Sequence, residues 1–221
     1  MLESKAIINT IKLLLDGSLT TLELFFLTLI IAIPLGLIIS MARMSKKKWL
    51  RELIKLYILI IRGTPLMLQL AFVYFAPYYM LPQGAKLNID RMLAAVIAFS
   101  LNYAAYFAEI FRGGIESIEK EQYEAADVLG FTKTQTFINI ILPQVIKRIL
   151  PAISNEVITL VKDTALVQVL GISELFRVAQ NAASRYFSTL PLLGAGLFYL
   201  ILTWILTRIL NGIEKKLSYY R

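Results

Sequence analysis

Residues 124–143 of the chain read EAADVLGFTKTQTFINIILP and join a charged helical segment, a glycine and a distant Leu-Pro pair. The fixed points of this stretch are Glu124, Ala125, Ala126, Gly130, Ile140, Leu142 and Pro143. Gly130 permits a backbone turn that residues with side chains would resist. A loop between membrane spans has no need of an amphipathic helix unless another molecule docks on it. The stretch therefore predicts a docking loop, provided that membrane spans flank it.

The docking loop is predicted over residues 113–148, and it is expected to be helical on both sides of Gly130. Before the glycine, apolar residues fall at helical spacing on one side and charged residues on another. The apolar side holds Ile115, Ile118, Tyr123, Ala126 and Leu129. Gly113 and Gly114 are expected to release the chain into this loop. Residues 131–141 predict a second short helix, ended by Pro143. A solvated helical hairpin is the alternative.

Apolar runs long enough to cross a bilayer flank the docking loop. Hydrophobic residues make up 57 % of the 221 residues, against about 45–50 % in soluble domains. A helix needs about 20 predominantly apolar residues to span the hydrocarbon core. The predicted spans cover residues 18–42, 50–80, 92–111, 149–172 and 186–210. The sequence therefore predicts an all-α integral membrane protein, with residues 1–221 forming a single transmembrane domain of five helices.

The distribution of basic residues predicts the orientation of these five spans. Fourteen lysine and arginine residues lie in segments 43–51, 112–148 and 208–221, against six on the opposite face. The positive-inside rule therefore predicts an N-terminus outside and a C-terminus in the cytoplasm. The net charge of +8 is explained by this topology and by contact with anionic lipid, so no nucleic-acid partner is expected.

The N-terminal segment predicts a short surface helix. The apolar run Ala6–Leu15 is broken by Lys12 and lacks a small-residue cleavage site, so no cleavable signal peptide is expected. We expect this run to lie on the outer surface and to end at Gly17. Thr20 and Glu23 then predict a capping box for the first span. Since the chain has no cysteine and no histidine, disulfides, thiol or imidazole catalysis and the usual zinc ligands are excluded, and no metal site is expected.

Polar residues interrupt the second predicted span halfway along its length. The string Arg62-Gly63-Thr64-Pro65 lies there, and proline breaks the helical hydrogen-bond ladder. A membrane tolerates such a break where protein or a water-filled cavity satisfies the freed groups. A simple packing kink is the alternative for Pro65 alone. The nearby Thr64, Gln69 and Arg62 favour a cavity lined by polar side chains.

Polar residues also share faces on the third and fourth predicted spans. They are Asn102, Tyr106 and Glu109 on the third, and Glu156, Thr159 and Asp163 on the fourth, with Asn155 and Lys162 on an overlapping stripe. An ionised side chain at the bilayer centre costs about 2.5–3.5 kcal/mol, so these faces are expected to look into the bundle. Lys162 and Asp163 are adjacent and do not face each other, so their partners are expected on other spans or a second subunit. Glu156 has no cation within a helical turn, and a cationic substrate group is one candidate partner.

The docking loop resembles the EAA loop of permease subunits of ATP-binding-cassette (ABC) importers at every defined position. Three further strings resemble the polar amino-acid branch of type I importer permeases: Arg62–Leu66, Ala108–Ile115 and Lys162–Leu166. Ala165 departs from that branch, where relatives often carry serine. The resemblance implies a type I importer permease fold with cytoplasmic coupling helices, in a bacterial inner membrane.

The resemblance also implies partners. The permease would work as a dimer, either a homodimer or a pair with a related permease, with two copies of a separate ATPase seated on the docking loops. An extracytoplasmic amino-acid-binding protein would deliver the substrate. Glu124, Ala125 and Ala126 would contact the ATPase, and Gly130 would form the turn. The sequence has no GxxxxGK[ST] phosphate loop, so no cofactor is expected, and hydrolysis of ATP would belong to the ATPase.

The predicted cargo is a basic amino acid, because a midplane acid without a local cation favours a cationic side chain. The predicted substrate-binding residues are Glu156, Asp163, Thr159, Asn155, Thr64, Gln69 and Asn102, and the predicted gating or structural charges are Arg62, Glu109 and Lys162. Glutamine, glutamate or another polar amino acid is the alternative, with Glu156 and Asp163 serving gating or helix contacts. An ion-coupled secondary transporter would also carry intramembrane acids but would not need the docking loop. A membrane anchor would leave these charges unexplained.

Overall fold

The computed structural model describes residues 2–80 and 89–217, which form helices and turns without a strand. The helices are α1 (Leu2–Arg43), α2 (Lys48–Gly63), α3 (Leu66–Met80), α4 (Arg91–Glu116), α5 (Lys120–Val128), α6 (Lys133–Gln135), α7 (Leu142–Asp163), α8 (Leu175–Tyr186) and α9 (Leu190–Leu217). A π-helical turn, Thr136–Ile141, joins α6 to α7, and a 3-10 turn, Thr164–Leu170, follows α7. The prediction of an all-α protein is confirmed over the described residues.

Four helical segments of the described chain are long and apolar enough to cross a membrane. They are Ile8–Arg43, Arg91–Glu116, Lys133–Leu170 and Leu190–Leu217. α2 and α3 make a fifth span if they are taken together, and they meet at an angle of 107°. This break falls at Thr64 and Pro65, where the sequence predicted an interruption. The predicted count of five therefore holds when the bent pair is counted as one span.

α1 runs unbroken through Gly17, so the prediction of a separate surface helix with a capping box at Thr20 and Glu23 is wrong. Gly17 serves helix packing, because a Cβ at this position would lie 3.0 Å from the Cα of Leu175 in α8. Small residues at a crossing let membrane helices approach closely. The prediction failed because a glycine at a helix crossing and a glycine at a helix end look alike in sequence.

α4 is the central helix of the bundle, and α1, α2, α3 and α7 pack against it. Its buried surface is rich in alanine: Ala94, Ala95, Ala98, Ala104, Ala105 and Ala108. Gly36 of α1 meets this surface, where a Cβ would lie 2.7 Å from the Cβ of Phe107. α9 leaves most of its surface exposed, as a lipid-facing helix does. α4 is therefore the frame against which the polar residues of the other spans are positioned.

On either side of the docking loop, α4 ends later and α7 begins earlier than the sequence predicted. α4 continues through Gly113 to Glu116, and a Cβ at Gly114 would overlap the side chain of Ile149. Pro143 does not end a helix, because it lies in the first turn of α7. A proline fits there, since the first N–H groups of a helix have no intrahelical acceptor. The part of the docking loop between the long helices is therefore shorter than predicted.

α8 was not predicted, and α9 begins at Leu190, four residues after the predicted start of the fifth span. α8 buries a stripe formed by Leu175, Ala179 and Ala182, and it packs against α1 and α9. Phe187, with φ at +48°, separates α8 from α9. The 12 residues of α8 are too few to cross a bilayer, so a search for long apolar runs does not find this helix.

Candidate functional site

The acidic face of α7 lies toward α4, as the spacing of its residues predicts. Glu156, Thr159 and Asp163 are all half-buried. The hydroxyl of Tyr103 on α4 donates a hydrogen bond of 2.7 Å to Oδ2 of Asp163. The partner expected on another span is therefore present, and it is a neutral donor. Lys162 is exposed and makes no ion pair with Asp163 among the described residues.

Glu156 makes no hydrogen bond and no ion pair with any described residue. Both carboxylate oxygens of Glu156 are thus available to another molecule. Asn155, beside it, is exposed, so the structure does not bring this predicted ligand to the contact between Tyr103 and Asp163.

Thr64, Gln69 and Asn102 come together at the break between α2 and α3. The Gln69 amide nitrogen donates to the carbonyl oxygen of Ile61 at 2.7 Å and to the hydroxyl of Thr64 at 2.9 Å. The Asn102 amide donates to Oε1 of Gln69 at 2.9 Å. These bonds satisfy a backbone carbonyl freed by Pro65, as a helix break inside a membrane requires. The three residues predicted as substrate ligands therefore bind one another in this structure.

A cavity of about 460 Å³ opens between α1, α2 and α4. Its polar lining consists of Arg43, Lys55, Arg62, Tyr106 and Glu109, and its apolar lining of Ile58 and Leu59, with Gly63 at the end of α2. The guanidinium carbon of Arg62 lies 4.9 Å from the centre of the Tyr106 ring, which is a cation–π contact. Arg62 takes part in none of the ion pairs found among residues 2–80 and 89–217.

Glu109 is held by arginines on one side of this cavity. Arg112 donates to Oε1 at 3.1 Å and to Oε2 at 2.7 Å, and Nε of Arg43 lies 4.0 Å from Oε1. Arg112 also binds Glu116, one turn further along α4. Such two-point contacts between arginine and carboxylate are strong and geometrically defined. Glu109 is therefore already neutralised within the chain, and its role as a structural or gating charge stays a prediction.

The docking loop presents an exposed surface formed by the end of α5 and the turn after it. Glu124 and Ala125 are exposed, whereas Ala126 is buried. Gly130 has φ at +76°, the left-handed conformation that favours glycine, and the Phe131 N–H donates to the carbonyl of Ala126. The turn predicted at Gly130 is therefore present. The second predicted helix, residues 131–141, forms as α6 and the π-helical turn.

Two apolar residues of this surface were not among the predicted docking residues. The side chains of Val128 and Leu129 are 88 % and 72 % exposed, and Leu129 belongs to the apolar side that the sequence predicts for this segment. Large apolar side chains this exposed next to a turn are typical of a contact with another protein. Their position directly before Gly130, where α5 ends, is the sequence signal that could have identified them.

Glu174 is a further residue that was not predicted from the sequence. Its side chain is fully buried at the start of α8, where the N–H groups of Phe176 and Arg177 donate to it at 2.7 Å. The hydroxyl of Tyr199 on α9 donates to Oε2 at 2.9 Å. Because only neutral donors bind it directly, burial raises the pKa of the Glu174 carboxyl despite these hydrogen bonds.

A family model described as the inner membrane component of binding-protein-dependent transport systems matches residues 32–219. The chain belongs to this family. Its members are membrane subunits that work with an ABC ATPase and a substrate-binding protein, and the ATPase hydrolyses ATP. The permease is therefore not itself an enzyme. The ion-coupled transporter and the membrane anchor are set aside by this membership.

Relatives of the permease are named for several amino acids. The arginine transport system permease protein ArtQ of Bacillus subtilis (strain 168) is 42 % identical over 218 residues, covering 98 % of each chain. The glutamine transport system permease protein GlnP of Escherichia coli (strain K12) is 38 % identical over 216 residues, covering 96 % of each. The L-cystine transport system permease protein TcyB of Bacillus subtilis (strain 168) is 38 % identical over 210 residues, covering 94 % of this chain and 88 % of the relative.

A solved structure gives the same assignment for the fold. A chain of an amino acid ABC transporter with histidines superposes with a TM-score of 0.86 at 34 % identity, covering 95 % of this chain and 96 % of the other. A chain of the MetNI methionine ABC transporter, at 17 % identity and a TM-score of 0.70, matches in fold. The protein is thus a permease subunit of an amino-acid ABC transporter with the type I importer fold. The relatives' names differ in the amino acid, so they leave its cargo open.

Proposed function

We propose that the permease moves a basic amino acid (arginine, lysine or histidine) and that Glu156 and Asp163 bind its cationic side chain. The observation that carries this proposal is Glu156, an acidic residue inside a membrane span without a hydrogen bond or ion pair among the described residues. An ionised side chain at the bilayer centre costs about 2.5–3.5 kcal/mol, and a bound cation offsets that cost. Thr159, between the two acids on the same face, supplies a neutral hydrogen-bonding group.

The relatives support both this proposal and its alternative. The relative at 42 % identity is named for arginine, whereas the relative at 38 % identity from Escherichia coli is named for glutamine. With glutamine or another polar amino acid as cargo, Glu156 and Asp163 would serve gating or helix contacts. In either case Thr64, Gln69 and Asn102 shape the path at the helix break, and Asn155 and Lys162 stay predicted contributors.

Stimulated ATP hydrolysis tests the cargo. The permease is reconstituted with its ATPase and binding protein, and a panel of amino acids is applied to the wild type and to Glu156→Gln. We expect arginine, lysine or histidine to stimulate the wild type and the variant to lose that stimulation. Glu119→Gln, which removes an exposed acid on the docking loop, is the matched control and keeps the stimulation. Stimulation by glutamine alone would contradict the basic cargo.

We propose further that the exposed surface of the docking loop seats the ATPase. Glu124 and Ala125 supply the polar rim, Val128 and Leu129 the apolar contact, and Gly130 the turn that presents them. Ala126, being buried, supports the surface from behind. In a permease dimer, most simply a homodimer, the two loops would hold two ATPase copies, with an extracytoplasmic binding protein on the opposite face.

Co-purification tests this docking surface. Glu124→Lys and Val128→Asp are each expected to reduce recovery of the ATPase with a tagged permease by at least about tenfold, since a reversed charge or an unpaired charge placed in an interface costs several kcal/mol. Glu52→Lys changes an exposed acid on α2, outside the loop, and is expected to leave recovery unchanged. Unchanged recovery with both loop variants would place the ATPase elsewhere.

We propose that the N-terminus is outside and the C-terminus cytoplasmic, in a bacterial inner membrane, on the distribution of basic residues. Because the chain has no cysteine, single-cysteine variants report topology without background. Lys46→Cys, in the turn between α1 and α2, is expected to be protected from an impermeant maleimide in intact cells. Thr189→Cys, between α8 and α9, is expected to be labelled. The reverse pattern would invert the assignment.

A further inference from the structure

We propose that Arg62, held over the ring of Tyr106 at the end of α2, binds the α-carboxylate of the transported amino acid while Glu156 and Asp163 hold its side chain. This inference rests on the proposed function of the α7 face. It assigns a second half to the same site, and it gives Arg62 a role that differs from the gating or structural charge predicted from sequence.

The first support is the charge of the cavity beside Arg62. Three cations line its 460 Å³, namely Arg43, Lys55 and Arg62, against the single acid Glu109. Glu109 is already bound at two points by Arg112. The cavity is thus electropositive, and water-accessible space of this size between helices suits an anionic group of a small solute.

The second support is that Arg62 is the cation of this cavity without an ion pair in the described part of the chain. Arg43 lies 4.0 Å from Glu109, and Lys55 lies 4.0 Å from Glu52. The ring of Tyr106 positions the guanidinium of Arg62 by its face and leaves the N–H groups at its edge free to bind. A planar guanidinium presents these groups in a fork that matches a carboxylate.

The third support is the order of groups along α4. Tyr103 binds Asp163, and the ring of Tyr106, one turn further along, lies under Arg62, with the two tyrosine ring centres 6.3 Å apart. Arg62 and Asp163 are therefore held by neighbouring tyrosines of α4, and a ligand beside this stretch can place its carboxylate at Arg62 and its cationic side chain at the acids of α7.

The test compares ligands that differ only at the carboxylate. L-arginine and L-argininamide, whose carboxylate is replaced by a neutral amide, are titrated into the purified permease–ATPase complex without the binding protein. We expect Arg62→Gln to weaken arginine binding by about tenfold or more, the usual effect of a hydrogen bond to a charged group. Argininamide binding is expected to change by less than about twofold. Arg208→Gln, which removes an arginine held in the same way over the ring of Trp204 on α9, away from this cavity, is expected to change neither.

Two outcomes would overturn the assignment. If Arg62→Gln leaves arginine binding unchanged, or weakens the binding of both ligands equally, Arg62 does not bind the carboxylate. An anionic phospholipid headgroup is the other source of this chemistry, so the titration is repeated in nanodiscs with and without phosphatidylglycerol. If Arg62→Gln lowers retention of that lipid and leaves arginine binding intact, the anion of the cavity is a headgroup and the proposal fails.

Failure of the basic-cargo proposal has a different signature. In that case the wild-type complex binds glutamine and not arginine, and Glu156→Gln leaves binding unchanged. The comparison of glutamine with glutaminamide then tests Arg62 in the same way, because the carboxylate is common to every amino acid. Loss of glutamine binding in Arg62→Gln, with glutaminamide unaffected, would support the carboxylate site even with a neutral cargo.

Discussion

Glu109 and Glu156 are both acids inside membrane-spanning helices, and they differ in what surrounds them. Arg112 binds both oxygens of Glu109, and Arg43 lies beside it, whereas no described residue binds Glu156. A charge within a span is therefore not by itself a sign of a binding site. The informative feature is a charge that the fold leaves without a partner, because another molecule must then meet its cost.

The largest effect expected from this difference between Glu109 and Glu156 is a change in the free energy of unfolding. Glu109→Gln leaves Arg43 and Arg112 without their shared acid and is expected to lower the free energy of unfolding by about 3 kcal/mol, the lower end for breaking a partly buried pair. Glu156→Gln removes an unpaired charge from a membrane span and is expected to leave stability unchanged or raised. Denaturant titration of the purified complex in detergent measures both. Equal losses in the two variants would show that Glu156 has an internal partner after all.

The helix break offers a second contrast, since its polar groups are satisfied within the chain. Gln69→Leu is expected to lower the free energy of unfolding by about 2 kcal/mol, because the carbonyl of Ile61 and the amide of Asn102 would lose their partner inside a membrane span. Gln122→Leu, which removes an exposed amide on α5, is expected to change it by less than about 0.5 kcal/mol. The same denaturant titration compares the two. If Gln69→Leu leaves the free energy of unfolding unchanged, the Gln69 side chain is not needed to hold the helix break and is free to bind the substrate.

Local patterns predicted what depends on a few neighbouring residues. The break at Pro65, the acidic face of α7 and the turn at Gly130 all follow from spacing or from the backbone preference of one residue type. The apolar runs located the spans to within several residues at most ends, because burial in lipid is a property of the run itself.

Contacts between distant residues could not be predicted in the same way. Tyr103 and Asp163 are 60 residues apart, and their pairing depends on how α4 and α7 cross. Gly17 and Gly114 were expected to lie at helix ends, but they lie inside α1 and α4 and pack against other helices. α8 was missed because its apolar stripe is short and its neighbours are polar. Which acid has a partner, the feature that separates Glu109 from Glu156, belongs to this group.

Tyr103→Phe would make Asp163 resemble Glu156 by removing its donor. The ring and its packing are retained, so the loss of one hydrogen bond to a charged group is expected to lower the free energy of unfolding by about 1.5 kcal/mol. Tyr106→Phe is the matched control, because its hydroxyl makes no hydrogen bond with the described residues, and its expected effect is under about 0.5 kcal/mol. The two are compared by thermal and denaturant unfolding. Equal effects would mean that the contact with Asp163 adds no stability.

Glu174 is intermediate between Glu109 and Glu156, because it has hydrogen-bond partners but only neutral ones. The effect on stability expected from its titration is the smallest of the four. Burial raises the pKa of its carboxyl in the folded chain, so the folded state holds this proton more tightly than the unfolded state does. The contribution of Glu174 to stability is therefore greatest below the unfolded pKa of about 4.3 and falls as the pH rises through the raised folded pKa. Relative to Glu174→Gln, the stability of the wild type is expected to decline over that window in pH-dependent denaturant titrations. Parallel curves for the two proteins would show that hydrogen bonds from Phe176, Arg177 and Tyr199 fully compensate the burial.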